Sequence, residues 1–349
     1  MSGNPYSLVF GKEPKEAIPR IAQTAEVIQW FSDDPPSQQI CMIMGVRGSG
    51  KTVQMTTIGK HFAAQEDWVV VELNADGNIL ENLAAKLASR NSLAKIFHAA
   101  KINLSFFGIG LEVRDSVPIT DLETAVGQML TSLKKKKKKV LVSIDEVTNT
   151  PQMRFFAGAF QIFVRHDLPI YLLMTGLFEN IYELQNQKSL TFLYRAPKIQ
   201  LQPLNIGTMR ENYQTVLGVS PEKALDMAKA TRGYSFAFQV MGYLSWQYKG
   251  DDAKIQSLYK QYLEEYSYEK IWSEMSAGDR KLARAISAVP DGKLSDIKTL
   301  VGMENNEISP YRIRLIRKGI VNGEVRGYLR FTLPLFETFV QERSDLPVG

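Results

Sequence analysis

Apolar residues follow two rhythms along the chain. Short, nearly unbroken runs, Ile40 to Met44, Trp68 to Leu73, Val140 to Ile144 and Pro169 to Met174, read as strands buried on both faces. Between them, Ile79, Leu80, Leu83, Ala84 and Leu87 fall at helical spacing, as do the apolar positions of Asp121 to Leu133. Ser92 to Ala100 reads as a further helix and Ile199 to Leu201 as a last short strand. This alternation from Gln39 to Leu204 predicts an α/β core, a parallel sheet with helices on both faces. One segment breaks the pattern: Lys101 to Val113 alternates around Gly108-Ile109-Gly110 and predicts an inserted β-hairpin. Its Phe106, Phe107 and Ile109 would touch DNA or a neighbouring subunit, or the hairpin would only cover the sheet edge.

Outside this core the rhythm is helical. A Pro/Gly-punctuated arm, Asn4 to Pro19, leads into a helix carrying Ile21, Ala25, Val27, Ile28 and Phe31, which Asp33 to Ser37 ends. The arm would wrap over a bound base or strap the surface of the sheet. Asn205 to Leu217, Ser220 to Thr231 and Ser235 to Tyr248 predict three short helices, the second opened by Ser-Pro-Glu, and Ala253 to Trp272 a long one. Asp279 to Ala288, Leu294 to Leu300 and Ile308 to Lys318 predict three more. A hairpin from Gly319 to Leu333, turning near Arg326-Gly327, follows them. Three helices and a two-stranded wing make a winged helix-turn-helix. The expected divisions are 1–38 (arm and helix), 39–204 (core), 205–273 (helical lid and connecting helix) and 274–343 (winged helix).

The chemistry concentrates after the first strand. Gly45-Val46-Arg47-Gly48-Ser49-Gly50-Lys51-Thr52, with Val53 behind it, is G-x-x-x-x-G-K-[ST] between a strand and a helix. Glycines let successive N–H groups turn inward on a phosphate, and the helix adds its positive end. Lys51 would reach the β- and γ-phosphates of ATP, and the Thr52 hydroxyl would ligate Mg2+. The strand Val140 to Ile144 delivers Asp145 and Glu146 to the crevice where such sheets bind ligands. Asp145 would hold Mg2+ and Glu146 would deprotonate the attacking water. Thr175, ending the next strand, would hold that water or merely start a turn. Arg195 is a candidate cation for the γ-phosphate, from the same subunit or a neighbour, with a surface ion pair as the alternative.

Composition narrows the picture. The chain has 349 residues, 44% hydrophobic, enough for two or three packed domains. A single cysteine, Cys41, excludes an intrachain disulfide and a Cys-rich zinc site, and fits a reducing cytoplasm. No apolar run approaches about 20 residues, and the first residues lack the layout of a signal peptide, so no membrane span or secretion is expected. The net charge of +5 owes part of itself to Lys134 to Lys139, which reads as a solvated loop. More telling are Arg312, Arg314, Arg317 and Lys318 on the predicted third helix, with Arg326 and Arg330 on the wing. With Ile313 and Ile316 turned inward, they make an electrostatic footprint for DNA, or a solvated face on a protein-docking module.

GVRGSGKT, VLVSIDEV, YLLMTGL and FLYRAPKIQLQPL, in that order, resemble the P-loop AAA+ ATPases, in the branch related to origin-recognition initiators and STAND signalling ATPases. The resemblance runs from about Tyr6 to about Phe339 and implies an ATPase core, a helical lid and a C-terminal winged helix. It implies sensor 1 at Thr175 and a γ-phosphate arginine at Arg195. It names no sensor 2, because Arg232 precedes Gly233 where initiators place an arginine at the start of a lid helix. The expectation is a cytoplasmic, Mg-dependent ATPase, slow and regulatory, with ATP or ADP positioning a DNA-binding winged helix. The alternatives are a STAND-like signalling or assembly switch that contacts protein or itself, and a non-hydrolysing ATP-binding scaffold.

Overall fold

The computed structural model describes residues 3–9, 13–111 and 116–344. The chain divides into two compact units, Arg20–Met44 with Lys51–Gln200, and Met1–Pro19 with Gly45–Gly50 and Leu201–Gly349.

The first unit runs α1 (Ile21–Ser32), β1 (Ile40–Met44), α2 (Lys51–Ala63), β2 (Trp68–Leu73), α3 (Ile79–Ala88), α4 (Asn91–Ala99), α5 (Leu122–Lys135), β3 (Lys139–Ile144), α6 (Pro151–Arg165), β4 (Ile170–Gly176), α7 (Phe178–Gln185) and β5 (Lys198–Gln200). Its five strands are all parallel, in the order β2-β3-β4-β1-β5. Strands with both faces covered read as continuous apolar runs, and β1 and β4 are buried throughout. Ile40, Met42 and Met44 join a core with residues of α3, α5 and α6. On the opposite pleat Cys41 and Ile43 are buried, and Phe31 of α1 and Phe62 of α2 lie against Tyr171 and Trp68. Caps set the helix starts: Asn78, Asp121 and Thr150 each accept a backbone N–H of the first turn of α3, α5 and α6.

Among the described residues of 101–113 no β-hairpin forms. Among the described residues, 101–111 hold a 3-10 turn, Ser105–Phe107, and one strand-like hydrogen bond, Leu104 N–H to the Leu111 carbonyl at 2.8 Å. The buried Asn103 side chain accepts from the Ser105 N–H and donates to the Ser116 carbonyl, so local side-chain bonds replace a ladder. Ile102, Leu104 and Leu111, the alternating residues, enter the core instead. Glu112 and Val113 lie outside the described residues.

The second unit contains α8 (Ile206–Leu217), α9 (Pro221–Ala230), α10 (Ser235–Gln247), α11 (Asp252–Leu263), α12 (Glu269–Ser273), α13 (Ala277–Ser287), α14 (Leu294–Val301), α15 (Asn305–Arg317), β6 (Val321–Asn322), β7 (Arg330–Phe331) and α16 (Phe336–Ser344). A π turn, Glu264–Tyr268, links α11 to α12 within the stretch expected as one long helix. β6 and β7 pair antiparallel, and a bridge between Lys293 and Tyr328 adds a third strand-like contact. The arm is strapped onto α8 and α10. Tyr6 is 1% exposed, packs on Tyr213 and Phe238, and donates to Asn212 Oδ1 at 2.7 Å. A Cβ at position 242 would overlap its ring, so Gly242 makes the seat. The α15 phase differs from expectation: Ile308 and Leu315 are buried, while Ile313 is 46% exposed. Among the described residues no helix is long and apolar enough to cross a membrane.

Candidate nucleotide-binding site

Strand register builds the acidic half of the site. β4 lies between β1 and β3, with Gly176 level with Met44 and Met174 level with Ile144. Thr175 therefore emerges beside the residue that follows β3, Asp145. The Thr52 hydroxyl, at the start of α2, donates to Asp145 Oδ2 at 2.6 Å, and the buried Thr175 hydroxyl donates to Oδ1. The Glu146 N–H is shared between Thr175 Oγ1 at 3.2 Å and Asp145 Oδ1 at 3.1 Å. Glu146 takes φ +52°, a backbone region uncommon for a side chain of its kind, and its carboxylate side chain is exposed. Lys51 begins α2 and is 8% exposed. Hydroxyl and carboxylate oxygens meeting at one point form a hard-oxygen donor set suited to Mg2+.

The loop Gly45–Gly50 is described within the second unit. Gly48 and Gly50 adopt φ +75° and +92°. Three successive carbonyls of the loop are held by the start of α10. Tyr234 Oη donates to the Arg47 carbonyl at 2.7 Å, the Phe236 N–H to the Gly48 carbonyl at 3.0 Å, and Ser235 Oγ to the Ser49 carbonyl at 2.8 Å. A Cβ on residue 48 would overlap the Tyr234 hydroxyl. Tyr234 is buried, which pushes its phenol pKa above the ordinary range, and its oxygen also lies 2.7 Å from Ser267 Oγ in the π turn. The Arg47 guanidinium pairs with Glu274 at 3.0 Å. Tyr234, Ser235 and Ser267 were not among the expected site residues; Gly233-Tyr234-Ser235, a helix start just after a positive-φ glycine, was their one local signal.

Other expected residues are placed as follows. Arg195 caps the 3-10 stretch Lys188–Tyr194 and is exposed. The Arg314 side chain, 36% exposed, is engaged in an ion pair: its Nε lies 2.8 Å and 3.0 Å from the two oxygens of buried Asp279, and its Nη2 donates to Ser276 Oγ at 2.9 Å. The Lys318 ammonium is mostly buried, 3.9 Å from Asp279, and burial pushes its pKa below the usual lysine value. Arg312 is half-buried, whereas Arg317 and Arg326 are exposed. Arg330 donates to the Asp291 carbonyl at 3.3 Å and 3.2 Å. Arg232 forks onto Glu337, with its Nη2 at 2.6 Å, and onto the carbonyls of Phe331 and Leu333, which ties it to β7 and the chain that follows.

No curated protein matches the sequence. A family described as "Domain of unknown function (DUF8462)" matches residues 265–340. Among solved structures, the chain is similar to a Walker-type ATPase of Pyrococcus abyssi, PABY2304, with a TM-score of 0.67, 13% identity and coverage of 96% of this chain and 99% of that one. It is similar to the Aeropyrum pernix ORC2 protein, solved as ADPNP-ADP complexes, with a TM-score of 0.60, 12% identity and coverage of 97% and 95%. Cdc6p of Pyrobaculum aerophilum gives a TM-score of 0.50, 14% identity and coverage of 96% and 97%. At these identities the likeness is one of fold. With its five parallel strands and the phosphate-loop motif after β1, the chain shares the fold of this Walker-type ATPase and of the ORC2 protein.

Proposed function

We propose that this chain binds Mg·ATP at Gly45 to Val53 and hydrolyses it slowly, using the nucleotide state to place a C-terminal winged helix. The observation that carries the reading is the meeting of Thr52, Thr175 and the Glu146 N–H on the Asp145 carboxylate at the C-terminal edge of a parallel sheet. Residues 45–50 present N–H groups to the phosphates, and Lys51 follows as the point charge for the β- and γ-phosphates. Thr52 and Asp145 would hold the Mg2+, which supplies neutralisation of phosphate charge when bound. Glu146 accepts the proton of the attacking water, and Thr175 keeps Asp145 and the Glu146 backbone in place. Arg195, exposed, would answer the γ-phosphate from its own subunit or from a neighbour. Calorimetry with ATP and ADP tests the reading: wild-type protein binds both, and Lys51→Ala weakens ATP binding by at least about tenfold. Equal binding by the two proteins would overturn it.

For the partner, we propose DNA, contacted by Arg312, Arg317 and Arg326 on the third helix and wing of residues 274–343. A protein partner or a second copy is the other reading. It is favoured by the internal use of Arg314 and Lys318, and by the exposure of Ile313 on α15 and Val325 on the β6–β7 turn.

A further inference from the structure

A trans peptide plane carries the carbonyl of one residue and the N–H of the next on opposite sides. Holding the carbonyls of Arg47, Gly48 and Ser49 therefore fixes the direction of the N–H groups of Gly48, Ser49 and Gly50. The Ser49 N–H turns onto the Val46 carbonyl at 3.1 Å within the loop, and the N–H groups of Gly48 and Gly50 are the candidate phosphate donors. The three bonds come from three consecutive residues and use three different donors: a phenol, a backbone N–H and a hydroxyl. The phenol is itself buried and oriented by Ser267. Its seat exists only because residue 48 lacks a Cβ. We propose that Tyr234 and Ser235, with the Phe236 N–H between them in the register, are positioning residues for nucleotide binding. They hold the loop in its phosphate-receiving form before the ligand arrives, so that binding does not have to order it. The groups they aim face the diphosphate portion common to ADP and ATP, so both ligands feel their loss alike. This deepens, and rests on, the reading of Gly45 to Val53 as a nucleotide site.

The test measures ADP and ATP affinity by calorimetry on the full chain, beside the ligand-free melting temperature and the ATPase rate. Tyr234→Phe and Ser235→Ala each raise the Kd for both nucleotides about three- to tenfold. Ser235→Thr, which keeps the hydroxyl, stays within about twofold of wild type. KM for ATP rises with Kd while kcat at saturation is kept, because the loop is correctly formed once filled. A packing role alone would lower the melting temperature and leave Kd unmoved; that result overturns the proposal. If Tyr234→Phe does not fold, the Ala and Thr variants at Ser235 decide the matter by themselves. Absence of ADP binding in wild-type protein would overturn the nucleotide site and this inference together. Tight wild-type binding with unchanged variants overturns only the inference.

Discussion

Asp145 accepts the Thr52 hydroxyl at 2.6 Å, although the two residues lie 93 positions apart. The contact joins the start of the helix after the phosphate loop to the end of β3. On the proposed reading the pair holds Mg2+, and Asp145→Asn keeps the shape but removes the charge that such a site needs. ATP binding with 5 mM EDTA, on the order of an excess chelator, should be equal in variant and wild type. Adding Mg2+ should then tighten only the wild type, by about tenfold or more. Calorimetry in the two buffers checks this.

Glu146 is the exposed carboxylate beside that pair, on a backbone at φ +52°. Glu146→Gln keeps the side-chain size and loses the proposed base. Phosphate release should fall by about 100-fold or more, with ATP affinity preserved. A non-hydrolysing scaffold predicts no release from either protein, and single-turnover assays separate the two cases.

What could be read in the sequence is what the chain keeps local. The loop after β1 is a run of consecutive residues, and Asp145-Glu146 sits at the end of an apolar strand, so periodicity and motif place both segments in the fold. The Tyr234 to Arg47 bond joins residues 187 positions apart, and no local pattern signals which face of α10 meets the loop. Arg314 looked available for DNA because a run of basic residues does not disclose a buried Asp279 on another helix. The false hairpin has a similar cause. Ile102, Leu104 and Leu111 are spaced like one face of a strand pair, but a loop whose apolar residues enter the core produces the same spacing. The helix α16 was missed outright, since Phe336, Phe339 and Val340 offer less than three turns of periodicity.

Five buried phenols, Tyr6, Tyr213, Tyr234, Tyr259 and Tyr268, lie in the second unit, each with its pKa pushed up, first of all by burial. The folded state favours their neutral forms, so the unfolded chain releases these protons first. Their contribution is fully present below the ordinary phenol value of about 10 and is lost as pH rises above it. Thermal unfolding followed from pH 8 to about pH 11 should show a flat melting temperature and then a steep fall. Tyrosinate absorbance should appear with unfolding rather than before it.

Asp279 is buried and takes Arg314 on both oxygens, while Ser276 and Asp279 cap α13 reciprocally. Removing one partner of such a pair leaves a charge without its counterpart. Asp279→Ala should cost about 3–5 kcal/mol of stability, and Arg314→Glu should be comparably damaging. Urea unfolding followed by circular dichroism measures both.

That cost decides how DNA binding has to be tested. Reversing Arg314 would abolish DNA affinity by disrupting α13 and α15, whatever the surface does. Arg317 and Arg326 are the charges whose reversal leaves this ion pair in place, being exposed on α15 and on the β6–β7 turn. If DNA lies against the third helix and wing, Arg317→Glu with Arg326→Glu should weaken duplex binding by about tenfold or more at low salt. The slope of log K against log salt should fall by about 1–2, and the melting temperature of the variant, measured beside it, separates lost DNA contact from lost folding. If affinity and slope both stay at the wild-type values, the exposed Ile313 and Val325 become the features to explain. Residues 274–343 would then be read as a surface for protein, and light scattering with and without ATP would show whether a second copy binds there.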